Sequence, residues 1–233
     1  MEAIILAGGF GTRLRSVVSD VPKPMAPVGN RPFLELLLDC IIPYGFDHIV
    51  LSTGYMHEKI KEHFGDKYKG VRLSYAVEET ALGTGGGMRN AIEHCKEDSV
   101  TVLNGDTLFR IDYEKLKLFH KSHSNISRLS VVLRQVDDIS RYGSVTTDND
   151  GIITGFTEKK ECSTPISGTI NGGIYMMHRS LLEEHVLGER FSFEKEILQS
   201  RYTIEPFYAY TSDAFFLDIG IPEDYHKLTE QYA

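Results

Sequence analysis

The chain has 233 residues, 41% of them hydrophobic, enough to bury the core of one large α/β domain. Its 25 Lys and Arg against 33 Asp and Glu leave a net charge of -8, which argues against general binding to nucleic acid or to anionic membranes. Three cysteines (Cys40, Cys95, Cys162) form no CxxC pair, and the N-terminus has no basic region before an apolar run, so reduced thiols, no signal peptide and a cytoplasmic protein are expected. The longest apolar stretch, 33–42, carries Glu35 and Asp39 and is far too short to span a bilayer.

Taken in chain order, the pattern predicts a strand over 4–7 that empties into Gly8-Gly9-Phe10-Gly11-Thr12-Arg13-Leu14. A helix follows over 32–44, with Phe33, Leu36, Leu37, Cys40 and Ile41 on one face. Then come a strand over 48–53, a helix over 56–64, a strand over 71–77, a helix over 87–95 entered through glycines, and a strand over 100–104. This alternation predicts a doubly wound, mostly parallel sheet with helices on both faces. The second half reads as strands over 129–136, 143–147, 152–158 and 170–178 with little helix between them, and Asn149-Asp150-Gly151 is a turn signal. Strands over 203–209 and 214–218 precede a last helix opened by Pro222 with Glu223 and Asp224 in its first turn. No repeat or linker interrupts the chain. One domain is expected, with a nucleotide-binding half (about 1–110) and a substrate-binding half (about 111–233) on one sheet.

The glycine loop after the first strand suits a phosphate, because such loops present backbone N–H groups to an anion. A dinucleotide fingerprint requires a third glycine where Leu14 stands, and no acid ends the second strand to hold a ribose. A P-loop requires a lysine directly after its glycines, and none follows. A plain strand-to-helix turn would need neither Arg13 nor Lys23, which supply positive charge beside the loop. Asp106 and Asp218 each follow an apolar strand, the place where ligands collect on parallel sheets, and two such carboxylates suit one Mg²⁺. As lone residues they would be ordinary loop aspartates.

The segment Gly8–Leu14 with Lys23-Pro24 resembles the signature of the sugar-1-phosphate nucleotidylyltransferases. The resemblance continues through Leu82-Gly83-Thr84-Gly85-Gly86, Asn104-Gly105-Asp106, Glu158-Lys159, Asn171-Gly172-Gly173-Ile174-Tyr175 and Asp218-Ile219-Gly220. It implies a Rossmann-like mixed sheet of glycosyltransferase-A-like architecture. It implies that Leu6, Ala7, Gly8, Gly9, Gly11, Thr12, Arg13, Gly83 and Thr84 hold the nucleotide, with Arg13 on the β- and γ-phosphates and Lys23 on the α-phosphate. It assigns Asn104, Gly143, Glu158, Lys159, Asn171 and Gly172 to the sugar phosphate, and Asp106 and Asp218 to Mg²⁺. Gly172 stands where many relatives carry alanine, from which room for a bulkier sugar is expected. Within the family the resemblance is to short bacterial members that use GTP and D-glycero-α-D-manno-heptose 1-phosphate for surface polysaccharide or glycoprotein assembly. The chain lacks the extensions of longer relatives, so no second activity is expected, and the resemblance allows a homodimer.

The implied chemistry is attack of a sugar 1-phosphate on the α-phosphorus of a nucleoside triphosphate, releasing pyrophosphate. Two unit charges 4 Å apart repel by about 4 kcal/mol at an effective dielectric of about 20, so charge neutralisation and positioning dominate. No general base is needed, because the attacking phosphate is already ionised. Glu78 and Glu79 precede the Leu82-Gly83-Thr84 loop, and a carboxylate accepts the two adjacent donors of guanine while repelling the carbonyls of uracil or thymine. The residues alone leave open a solvent-facing Glu78, and they do not distinguish the heptose from mannose or glucose. A dehydrogenase and a non-catalytic sugar-nucleotide sensor are the competing classes. The first lacks its fingerprint, and the second could dispense with Lys23, Asp106 and Asp218.

Overall fold

The computed structural model describes residues 1–9, 14, 18, 20–140, 142–157, 165–183, 188–220 and 222–232. The chain opens with β1 (Glu2–Ala7). A turn at Lys23–Met25 and a ribbon of β2 (Pro27–Val28) on β3 (Arg31–Pro32) lead into α1 (Phe33–Ile41). Next come β4 (His48–Thr53), α2 (His57–Phe64), β5 (Lys67–Tyr68), β6 (Val71–Val77), α3 (Gly83–Ile92) and β7 (Ser99–Asn104). The second half holds β8 (Thr107–Phe109), α4 (Tyr113–His123), β9 (Leu129–Val136), β10 (Ser144–Thr147), β11 (Ile153–Thr157) and β12 (Gly168–His178). It ends with α5 (Ser180–Glu183), a wide helical turn Glu194–Gln199, β13 (Tyr208–Thr211), β14 (Phe216–Asp218) and α6 (Pro222–Gln231).

Four strands run parallel in the order β7-β1-β4-β6, and the antiparallel β12 extends the sheet beyond β7. The expected mixed, mostly parallel nucleotide-binding sheet is therefore present. Side-chain alternation along β1 explains the double winding. Ala3, Ile5 and Ala7 face a core with α1, α2 and α6, whereas Ile4 faces a second core with Met88, Ala91 and Ile92 of α3. The parallel strands end together at Ala7, Thr53, Val77 and Asn104, which gathers the loops after them at one edge.

Three expectations are corrected. The third helix begins at Gly83 rather than Gly87, because a segment of the second half packs on those glycines and compensates their poor helix propensity. The strand expected over 203–209 starts only at Tyr208: Pro206 has no N–H to donate, and Glu205 pairs instead with Arg128 at 2.7 Å. The helix α4, ahead of the strands of the second half, was not expected. Its signal was present in Asp112, whose side chain accepts the Lys115 N–H at 3.1 Å.

Polar groups pin the far edge of the sheet. Buried Glu2 bonds His48 Nδ1 at 2.7 Å and accepts the Lys96 and Glu97 N–H groups at 2.5 and 2.7 Å. His120 of α4 bonds Ser130 Oγ at 3.0 Å, and burial pushes its pKa down to about 4. The unfolded chain takes up this proton near 6.5, so the native state loses stability as pH falls from about 6.5 to about 4. The loss amounts to about 3 kcal/mol at most. His120→Gln should flatten that part of a stability-against-pH curve measured by urea unfolding, and an unchanged slope would reassign it to other groups.

Candidate active site

Gly8 sits where β1 reaches its end. A Cβ on Gly8 would lie 2.6 Å from Glu78 Oε1, so a side chain there would displace the carboxylate. Among the described residues nothing lies within 4 Å of such an atom on Gly9. Glu78, just past β6, is half-buried. Its Oε1 accepts the Ser52 hydroxyl and its Oε2 the Leu82 N–H, each at 3.0 Å. Leu6, Gly8, Gly9, Glu78, Gly83, Thr84, Asn104 and Asp106 line one cleft of about 290 Å³. Residues expected for nucleotide, sugar phosphate and metal thus share a wall. Ala7 is buried in the strand beneath it. A second cleft of about 370 Å³ lies across Gly8 and Glu78, lined also by Tyr55 and Val77.

Asp106 and Asp218 are brought together by a device the sequence did not signal. β8 pairs antiparallel with β14, setting Thr107 opposite Asp218, and the Ile219 N–H donates to Asp106 O at 2.9 Å. Asp218 Oδ1 accepts the Gly220 N–H at 2.6 Å. Among the described residues no group of three or more His, Cys, Asp or Glu side chains gathers as a metal cage. Two carboxylates at a strand edge are nonetheless what Mg²⁺ requires when phosphate oxygens complete its shell. The donor set fits that ion.

Lys23 comes from the Lys23–Met25 turn, where buried Pro24 fixes the backbone and Ala26 N–H returns to Lys23 O at 3.0 Å. Its ammonium forms an ion pair with Asp106 Oδ2, and its side chain is only 11% exposed. A cation is therefore held at the cleft by the carboxylate expected to bind metal. Gly11, Thr12 and Arg13, and likewise Glu158 and Lys159, lie outside the described residues.

On the sugar side, Asn171 N–H donates to Gly143 O at 2.9 Å, so those two expected residues meet. Register shifts in β12 between Asn171 and Tyr175. There Gly173 adopts φ +70°, and a Cβ on it would lie 2.5 Å from Asn104 Nδ2. The room expected at Gly172 is not open. A Cβ there would lie 2.6 Å from the Phe109 ring and 3.0 Å from Val132 O, so protein already fills the space. A residue that the sequence reading missed is Glu194, which accepts the Thr84 hydroxyl at 2.6 Å. Among the described residues no helix is long and apolar enough to cross a membrane.

The chain is 43% identical over 231 residues to the D-glycero-alpha-D-manno-heptose 1-phosphate guanylyltransferase of Aneurinibacillus thermoaerophilus, covering 99% of this chain and 98% of that protein. It is 42% identical over 226 residues to the enzyme of the same name from Campylobacter jejuni, covering 97% of each. The crystal structure of HddC from Yersinia pseudotuberculosis complexed with GMP-PN superposes with a TM-score of 0.86 at 36% identity, covering 100% of this chain and 99% of that one. The nucleotidyl transferase family model matches residues 2–233, the span that contains the glycine turn, the cleft and both aspartates, and the chain belongs to that family.

Proposed function

We propose that the protein transfers GMP from GTP to D-glycero-α-D-manno-heptose 1-phosphate, giving GDP-heptose and pyrophosphate. The observation that carries this reading is its similarity, over nearly the full length of both chains, to two enzymes of that name. Glu78 supports the choice of base. Each of its carboxylate oxygens accepts one hydrogen bond from the protein, leaving a lone pair on each for N1–H and the 2-amino group of guanine.

In this reading Leu6 to Gly9, with Gly11 to Arg13, hold the triphosphate, and Gly83 and Thr84 border the base. Asn104, Gly143, Glu158, Lys159, Asn171 and Gly172 serve the sugar phosphate. Asp106 and Asp218 would hold Mg²⁺, which when bound neutralises phosphate oxygens and raises the electrophilicity of the α-phosphorus. Lys23, the ion-pair partner of Asp106, turns its ammonium to the α-phosphate, where charge develops. Arg13 binds the departing pyrophosphate.

A pyrophosphate-release assay crossing four nucleoside triphosphates with heptose, mannose and glucose 1-phosphates, with and without Mg²⁺, tests the whole reading. GTP with the heptose phosphate should give the highest kcat/KM. No turnover with any pair would make the protein a sugar-nucleotide binder instead. Glu78→Gln should erode the preference for GTP over UTP by about 1–3 kcal/mol, the worth of a bidentate base contact. An unaltered preference would move guanine recognition to another group.

A further inference from the structure

The segment from Gly188 to Glu194 belongs to the second half of the chain, yet it packs on the loop that opens α3. Phe191 N–H donates to Leu82 O at 2.9 Å, and Phe191 O accepts the Gly85 and Gly86 N–H groups at 3.1 and 3.3 Å. Donors at the start of α3 are therefore satisfied by protein. A Cβ on Gly83 would lie 2.5 Å from Phe191 O, and one on Gly85 would strike the Phe191 ring. These glycines admit a neighbouring chain.

Glu194 continues this contact through its side chain. Its Oε2 accepts the hydroxyls of Thr84 at 2.6 Å and Ser192 at 2.9 Å, while Thr84 Oγ1 itself accepts the Phe193 N–H at 2.9 Å. Its Oε1 is 3.5 Å from the hydroxyl of Tyr175, which is fully buried. Asn171 Nδ2 donates to that hydroxyl at 2.6 Å, and Asn171 Oδ1 accepts the Gly173 N–H at 3.0 Å. The polarity of the chain is fixed. An ionised carboxylate only accepts, so the Tyr175 proton points to Glu194 and its lone pair to the Asn171 amide. The Gly173 N–H selects the flip state of Asn171, and the Tyr175 hydroxyl, oriented by Glu194, receives its amide nitrogen.

We infer that Glu194 is a positioning residue that sets both the Thr84 loop beside the base and the Asn171 amide beside the sugar, an inference that rests on the nucleotidylyl-transfer reading above. One carboxylate joins two subsites contributed by distant parts of the sequence. A hydrogen-bonded chain running through the buried Tyr175 hydroxyl transmits orientation because that hydroxyl has few alternative partners. Thr84 acts here through its place in the loop, since its hydroxyl proton is given to Glu194.

The test compares Glu194→Ala, Glu194→Gln, Thr84→Val and Tyr175→Phe. Glu194→Ala should raise KM for GTP and KM for the sugar 1-phosphate, each on the order of tenfold, the cost of losing a charge-assisted hydrogen bond. Thr84→Val should move only the GTP value and Tyr175→Phe only the sugar value. Adding Tyr175→Phe to Glu194→Ala should raise the sugar KM no further, because both act on one chain. Glu194→Gln keeps the volume and serves if the alanine variant does not fold. A purely structural clasp would instead lower Tm and active fraction with both KM values kept, and that result, or movement of one KM alone, overturns the inference. An inactive wild type would sink the transfer reading. Calorimetric titrations of GTP and of the sugar 1-phosphate into wild type and Glu194→Gln then decide the inference separately, by weakening of both affinities or of neither.

Discussion

Asp106→Asn and Asp218→Asn should each lower turnover by roughly two orders of magnitude or more, with the fold retained. Both substitutions keep the shape of the side chain and remove its charge. The Asp218 turn tolerates the change, because an asparagine oxygen accepts the Gly220 N–H as the carboxylate does at 2.6 Å. The divalent ion does not tolerate it, since a neutral amide is a far weaker ligand for Mg²⁺ than the carboxylate it replaces. The two variants should differ in one respect. Asp106 is also the ion-pair partner of Lys23, so Asp106→Asn leaves a largely buried ammonium without its carboxylate and should lower Tm more than Asp218→Asn. Steady-state pyrophosphate release against Mg²⁺ concentration, with circular dichroism as the folding control, measures both effects. Near-normal Mg²⁺-dependent activity in either variant would remove the metal assignment.

Lys23→Ala carries the second large effect. The ammonium is held at the cleft by a turn whose backbone is fixed by Pro24, so it is positioned before substrate arrives. Charge on the α-phosphate oxygens rises in the transition state, and a positioned cation there acts more strongly on that state than on bound GTP. A fall in kcat of about 10²–10³, larger than any rise in KM, is therefore expected. Lys23→Arg should recover only part of it, because a planar fork does not reproduce a compact point charge at 11% exposure. A change confined to KM would mean that Lys23 binds only the ground state.

Much of this architecture was legible in the residues. The strands 48–53, 71–77 and 129–136 coincide with β4, β6 and β9, because buried apolar runs bounded by turn residues leave little choice of period. Asp106 and Asp218 were legible singly, as acids closing apolar runs. Their meeting was not, since it depends on β8 pairing with β14 across more than a hundred residues. Glu194 was illegible for the same reason: its bond to Thr84 spans 110 residues, and locally it is one acid in a polar turn. The start of α3 was misread because intrinsic propensity disfavours four glycines in a helix, while packing by Phe191 reverses that preference. Strand 203–209 failed at a visible signal, Pro206.

The contact between Phe191 and the glycines of α3 bears on any attempt to exchange the nucleotide this protein accepts. A loop grafted from a relative of different base preference would bring side chains at position 83 or 85 into the backbone and ring of Phe191, and one at position 86 into the Glu189 carbonyl. The exchangeable unit is discontinuous: residues 78–86 and 188–194 must travel together. Libraries that randomise either stretch alone should return mostly poorly folded clones, whereas paired transplantation keeps the two surfaces complementary.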